Sequence, residues 1–196
     1  MIVALTGHTS GIGAALYQHL LRSGHQVMGF SRTELEPSGF RRQTGYDIDT
    51  SNGRSKIVND SIIADVFINN ASGYGGQSQL LLQMWDSWVG SAVPRLIINI
   101  GSRAAVKPST IPTGYDMNKR LLRDLSLDLA GKDSNIRVAH LMFGYVNVAS
   151  MHHIQKPKLP LDEIVRMVDW VLAAPTHIQI REIHLDLKTF SLPSAD

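Results

Sequence analysis

The sequence contains no cysteine, which removes disulfides, thiolate nucleophiles, cysteine zinc sites and cysteine-held iron–sulfur clusters from consideration. Charge is also scarce, at 18% of residues against the roughly 25% of an average soluble domain. With 19 Lys plus Arg against 17 Asp plus Glu, the formal net charge is only +2. The sequence pI near 9.0 overstates that excess, because little titrates between neutral pH and the lysines. No clustered basic face of the kind that grips nucleic acid is visible. Long apolar runs are missing too: stretches such as Leu80–Leu82 and Leu96–Ile98 fall far short of the roughly 20 residues that span a bilayer. The chain opens on Met-Ile-Val-Ala-Leu, a strand-like start without the charged lead and cleavage site of a signal peptide. The expectation is a cytoplasmic protein with neither nucleic-acid nor membrane partners, whose chemistry comes from oxygen, nitrogen or a borrowed cofactor.

What is present is enough to build a core. At 43% hydrophobic the chain lacks the composition of disorder, and 196 residues suit one domain spanning residues 1–196. Apolar runs without strict alternation occur at Ile2–Leu5, Gln26–Phe30, Val66–Asn69, Arg95–Ile100, Ile136–Leu141 and Glu182–Leu187, as expected of strands covered on both faces. Between them, helical spacing marks Ile12–Leu21, Ser55–Ile63, Leu80–Val89, Asn118–Leu129 and Asp162–Leu172. Strand alternating with helix predicts an α/β fold: a doubly wound, Rossmann-like parallel sheet with helices on both faces. Pro37–Gly45 is the least patterned stretch and reads as a loop leading into a further strand near Tyr46.

The first strand runs directly into Thr6-Gly7-His8-Thr9-Ser10-Gly11-Ile12-Gly13, after which Ala14, Ala15 and Leu16 continue as helix. A strand, glycine turn and helix in that order presents free backbone N–H groups and the positive end of a helix dipole, a seat for a pyrophosphate. A purely structural turn is the alternative, and the position after the first strand of a βαβ pattern favours the nucleotide.

The spacing Thr-Gly-x-x-x-Gly-x-Gly resembles the cofactor loop of the short-chain dehydrogenase/reductase family. The resemblance implies that Thr6, Gly7, Thr9, Ser10, Gly11, Ile12 and Gly13 meet the cofactor. At the end of the second strand stands Ser31-Arg32, where NAD-preferring members carry an acid. Without that acid, Ser31 can donate to a 2′-phosphate and Arg32 can pair with it, so NADP(H) is favoured over NAD(H). The competing reading makes Arg32 a solvated loop arginine. Asp47-Ile48 resembles the family's adenine-contacting pair, and Asn69-Asn70-Ala71-Ser72 its Asn-Asn-Ala-Gly turn, with Asn70, Ala71 and Ser72 beside the cofactor.

The run Ile98-Asn99-Ile100-Gly101-Ser102 is followed thirteen residues later by Tyr115, with Lys119 four residues beyond, so Tyr115 and Lys119 share one helix face. Such a set supports carbonyl–alcohol interconversion by hydride transfer. A cation about 5 Å from the phenol, at an effective dielectric near 20, favours the phenolate by roughly 3 kcal/mol. Ser102 would orient the substrate oxygen, Tyr115 would act as acid and base, and the resemblance has Lys119 also hold the nicotinamide ribose.

Two stretches depart from the family pattern. Many members complete the catalytic set with an asparagine that orders a relay water, yet residues 73–94 are short for the family's helix there and contain no asparagine; Gln79, Gln83 or a water would have to substitute. After the run Ile136–Leu141, Phe143-Gly144-Tyr145-Val146-Asn147-Val148 keeps Gly144, with Val146 placed at the carboxamide, but lacks the usual proline and threonine. The lid shrinks to about residues 149–160, where His152 and His153 are adjacent and do not share a helical face, which argues against a metal site. The resemblance implies a small carbonyl or alcohol substrate and assembly into homodimers or homotetramers. The alternative is a catalytically impaired NADP(H)-binding sensor or scaffold module; a nucleotide-sugar epimerase fits the glycine spacing less well.

Overall fold

A computed structural model describes residues 1–35, 41–107 and 111–187. Six strands, β1 (Ile2–Thr6), β2 (Gln26–Phe30), β5 (Val66–Asn69), β6 (Arg95–Ile100), β7 (Ile136–Phe143) and β8 (Glu182–Leu185), form one sheet in the order β2-β1-β5-β6-β7-β8. Every pairing in it is parallel. The order reverses between β1 and β5, and a crevice opens at the carboxyl ends of the strands, where parallel α/β sheets bind ligands.

The absence of strict polar–apolar alternation follows from the layers. Val3, Leu5, Val66, Ile68, Leu96 and Ile98 face one core together with Leu16 and Leu20 of α1 (Gly11–Arg22) and Ile164 and Val168 of α5 (Leu161–Ala173). Their neighbours Ala4, Phe67 and Ile97 face a second core with Ile57 of α2 (Ser51–Ser61), Leu80, Met84 and Trp88 of α3 (Gly76–Trp88), and Leu122 and Leu129 of α4 (Gly114–Leu129). Both faces of the central strands β1, β5, β6 and β7 are thus buried, the arrangement that gives near-continuous apolar runs.

α2 and α4 begin earlier than their apolar spacing indicates, because capping residues rather than apolar ones set their starts. Thr50 accepts from the Gly53 N–H at the start of α2, and Thr113 and Asp116 form a reciprocal capping box at the start of α4. The segment after Asn69, short as it is, still holds the thirteen-residue helix α3.

The further strand expected near Tyr46 is not formed. β3 (Thr33–Leu35) and β4 (Arg41–Gln43) pair antiparallel in a separate hairpin, while residues 37–40 of the unpatterned stretch lie outside the described residues. Thr44 then returns the chain to the end of β2, its N–H donating to the Arg32 carbonyl at 3.0 Å and its hydroxyl to the Ser31 carbonyl. Gly45 follows at φ +80°, a left-handed turn that ends any extended run just before Tyr46.

Candidate active site

The glycine turn is built for close approach. A side chain at Gly13 would drive its Cβ into the Gly7 carbonyl oxygen, and Gly7 itself adopts φ +72°. Beneath the turn, the buried Thr6 hydroxyl oxygen accepts the Asn70 and Ala71 N–H groups, both at 2.9 Å. Asn70 Nδ2 donates back to the Thr6 carbonyl at 2.9 Å. The turn after β5 is thereby locked to the turn after β1. Ser10, the residue before α1, makes no side-chain cap, and the helix's first turn carries no acidic residue. Its leading N–H groups therefore remain for an anion.

These turns wall a cleft of about 400 Å³. Gly7, Thr9, Ser10, Gly11 and Ile12 form one side of it; Asn70, Ala71 and Ser72 form another. Ser31, Arg32, Asp47 and Ile48 close the far end with Phe30, Tyr46 and Asp49. Ser31 differs from its expected role: its hydroxyl donates to the Thr33 carbonyl at 2.6 Å, so that proton serves the loop, and the exposed Arg32 is the cation at this end. Asp49 carries a tie that its sequence position does not advertise, its Oδ1 accepting the Tyr74 N–H at 2.7 Å and so binding the turn after β5 to the adjoining loop.

A second cleft of about 290 Å³ adjoins the first, and Ile12 and Val148 belong to the walls of both. Ser102, Tyr115, Gly144 and Val146 line it, with Phe143, Tyr145, Arg103 and Lys107. Ser102 caps a 3-10 turn (Arg103–Ala105), its Oγ accepting the Ala104 N–H at 3.2 Å. Tyr115 stands in the first turn of α4 and is 48% exposed, so its phenol can be reached from the cleft. Asp186 anchors the floor by pairing with Arg103, and a Cβ at Gly144 would collide with its carboxylate. The reduced lid is strapped down: the Asn147 N–H donates to the Leu159 carbonyl at 2.9 Å and the Leu159 N–H to the Tyr145 carbonyl at 2.7 Å.

Lys119 is buried and lines neither cleft. Its Nζ sits 5.6 Å from the centroid of the Tyr115 ring and donates to Gln77 Oε1 at 2.7 Å and, more weakly, to the Ile100 carbonyl at 3.4 Å. Burial pushes its pKa down to about 8, since water no longer solvates the ammonium. Gln79, proposed as a substitute for the family's asparagine, is exposed, whereas Gln77, two residues earlier, is buried on the lysine. Behind Ser102, His140 lies fully buried, its ring against Gly101. Burial lowers its pKa to about 4 and keeps it neutral. Among the described residues no three His, Asp or Glu side chains converge as a metal site.

No family model matches the chain. A serine 3-dehydrogenase of Rhizobium radiobacter is 25% identical over an alignment of 231 residues, covering 93% of this chain and 92% of the relative. An NADP-dependent 3-hydroxy acid dehydrogenase, YdfG, of Salmonella typhi is 22% identical, covering 94% of each. Among solved structures, a short chain dehydrogenase/reductase family protein superposes with a TM-score of 0.77 at 18% identity, covering 95% of both chains. The serine dehydrogenase of Escherichia coli superposes with a TM-score of 0.73 at 21% identity, covering 94% of this chain and 97% of its own. The chain thus shares the fold of these short-chain dehydrogenase/reductase structures and is similar in sequence to the curated dehydrogenases.

An alignment of 231 residues with a chain of 196 requires gaps in this chain. The connection between β5 and β6 holds the single helix α3, and the strap from Asn147 to Leu159, which borders the second cleft, is brief. Of the residues named from the sequence, Thr6 and Gly13 lie beneath the first cleft rather than on its wall, and Lys119 lies behind the second. The other cofactor-binding and catalytic candidates line one cleft or the other, whereas Gln79 and Gln83 line neither. Gln77 was missed because no motif marks it; its one sequence signal is an amide two residues into a helix otherwise supplied with apolar core residues.

Proposed function

We propose that this chain is an NADP(H)-dependent oxidoreductase interconverting a carbonyl and an alcohol, with Tyr115 as acid and base. The observation that carries the reading is the shared wall: Ile12 and Val148 join the cleft of the glycine turn to the cleft of Ser102 and Tyr115, so a ligand seated in the first extends toward the second. The residues fit a dinucleotide. The close approach of Gly7 and Gly13 and the uncapped start of α1 suit a pyrophosphate, and Arg32 suits a 2′-phosphate. Among relatives, a 3-hydroxy acid dehydrogenase is named as NADP-dependent and a solved serine dehydrogenase holds NADP+.

A reduced nicotinamide cofactor held by these residues would supply the hydride for the carbonyl carbon. Ser102 then holds the carbonyl oxygen by hydrogen bond, and Tyr115 delivers its phenolic proton to that oxygen as charge develops on it. The Lys119 ammonium, 5.6 Å from the ring, stabilises the phenolate that remains. In the oxidative direction Tyr115 takes the proton back. Relatives act on serine and 3-hydroxy acids by name, and Arg103 and Lys107 line the second cleft, so small hydroxy acids and the matching oxo acids are the first substrates to try.

One observation favours the second reading, a binding module without catalysis: Lys119 is engaged with Gln77 and lies outside the cleft walls. Calorimetric titration with NADPH, followed by NADPH oxidation assays on oxo acids, aldehydes, ketones and quinones, separates the two. Turnover that Tyr115→Phe abolishes, with cofactor binding intact, supports the oxidoreductase. Binding without turnover on any substrate supports the module, and full activity in Tyr115→Phe refutes the assigned chemistry.

A further inference from the structure

We propose that Gln77 is the positioning residue for Lys119, holding the ammonium beside Tyr115 from α3 in place of the water-ordering asparagine that this chain lacks. The inference rests on the function proposed above, because it gives that lysine a task in the tyrosine's proton transfer. Its basis is a chain of buried hydrogen bonds in which each group has a single workable orientation.

Gln77 is 5% exposed and Lys119 4%. The amide Nε2 of Gln77 donates to two backbone carbonyls, those of Asn69 at 2.7 Å and Ile100 at 3.1 Å. Carbonyls only accept, so the NH2 must face them and Oε1 must face Lys119. Asn69 Nδ2 in turn donates to the Gln77 carbonyl and to Asn99 Oδ1, both at 2.9 Å, and Asn99 Nδ2 donates to Ser126 Oγ at 3.0 Å. The Ser126 hydroxyl donates to the Leu122 carbonyl at 2.6 Å, which leaves its oxygen to accept from His140 Nδ1 at 3.2 Å. The Asn69, Asn99, Ser126 and His140 side chains are all fully buried. Asn69 Oδ1 and His140 Nε2 find no partner, but the matched donors and acceptors between them resist reorientation. It runs from β7 through α4, β6 and β5 to α3, and terminates on Lys119.

The cation has no carboxylate in this arrangement; its close side-chain partner is one neutral amide oxygen. A carboxylate there would neutralise the charge that the tyrosine needs, and an apolar residue would leave the ammonium buried without an acceptor. Facing the same region, α4 supplies Tyr115, β7 supplies His140, which interacts electrostatically with Lys119, and the 3-10 turn supplies Arg103, paired with Asp186. The groups from α3 and β6, Gln77 and the Ile100 carbonyl, do not titrate.

Two variants of opposite sign test the proposal, Gln77→Met and Gln77→Glu, each read by NMR titration of selectively labelled lysine and by the pH profile of kcat. In Gln77→Met the ammonium loses its acceptor, so the Lys119 titration and the alkaline limb of kcat both move to lower pH, and kcat at neutral pH falls about tenfold while the KM for NADPH changes little. In Gln77→Glu the added carboxylate moves both to higher pH; this variant forfeits the donations to Asn69 and Ile100 but remains informative should Gln77→Met not fold. A Lys119 titration unmoved in the variants overturns the proposal, because Gln77 then does not hold the lysine. A titration that moves while kcat and its pH profile stay as in the parent protein also overturns it, because the hold then has no part in the chemistry. Retained turnover in Tyr115→Phe made alongside identifies the failure as that of the catalytic reading, since the lysine titration needs no turnover.

Discussion

Replacing Lys119 by methionine separates the charge of this residue from its packing. The Nζ lies 5.6 Å from the Tyr115 ring centroid, which at an effective dielectric near 20 stabilises a phenolate by about 3 kcal/mol. Tyr115 is nearly half exposed, so solvent screening reduces this toward about 1.5 kcal/mol. The expected loss of kcat is therefore roughly ten- to hundredfold. Stability moves the other way. Burial lowers the lysine's pKa from 10.5 to about 8, a cost of about 3 kcal/mol whenever the group is charged in both states. Methionine removes that cost but leaves Gln77 Oε1 without its donor, at about 1–3 kcal/mol. The variant should be as stable as the parent or somewhat more so. Because the folded value lies below the unfolded one, the unfolded chain retains a proton between pH 8 and 10.5 that the folded chain has released. The parent's stability should rise with pH across that window and the variant's should not. Denaturant unfolding at several pH values, set beside NADPH oxidation rates, measures both effects. A variant with undiminished kcat, or one that is markedly destabilised at neutral pH, would refute the account of a functionally retained and energetically unfavourable charge.

Arg32→Ala should raise the Kd for NADPH about tenfold or more, the value of a lost charge-assisted pair, while changing that for NADH little; calorimetry with both cofactors decides, and equal losses would show that Arg32 does not read the phosphate. His140, held neutral by burial with a folded pKa of about 4 against 6.5 unfolded, gives stability that is lost on acidification. Between pH 6.5 and 4 the unfolded chain gains a proton that the folded chain refuses, worth about 3 kcal/mol over the window, and His140→Gln should flatten the fall in Tm with acid. An unchanged acid slope in that variant would assign the loss to other groups.

Much of this architecture is legible from residue order alone. Val3-Ala4-Leu5 and Leu96-Ile97-Ile98 are apolar at every position because each residue meets one core or the other, and that pattern marks a parallel sheet before any pairing is known. Tyr115 and Lys119 declare themselves by spacing along one helix. The start of α4 was also readable, since Thr113-x-x-Asp116 is a capping pattern that apolar periodicity alone overlooks. The loop after β2 was not: its path depends on Thr44 reaching back to Ser31 and Arg32 and on the φ of Gly45. Gln77 was hidden for a deeper reason. Its partners Asn69, Ile100 and Lys119 lie on three other elements, so its role exists only after the sheet and helices have assembled.

The wall that the two clefts have in common has a kinetic meaning. Ile12 sits at the head of α1 and Val148 at the root of the strap, with Val148 Cγ1 3.5 Å from the point where a side chain on Gly11 would begin. A dinucleotide seated along the glycine turn, as proposed, would meet the same two residues that wall the second cleft. The shape of that cleft would then depend on whether the first is filled. In a protein with so little lid, a cofactor bound as proposed would complete the enclosure, and product-inhibition patterns should then show the nucleotide binding first and leaving last.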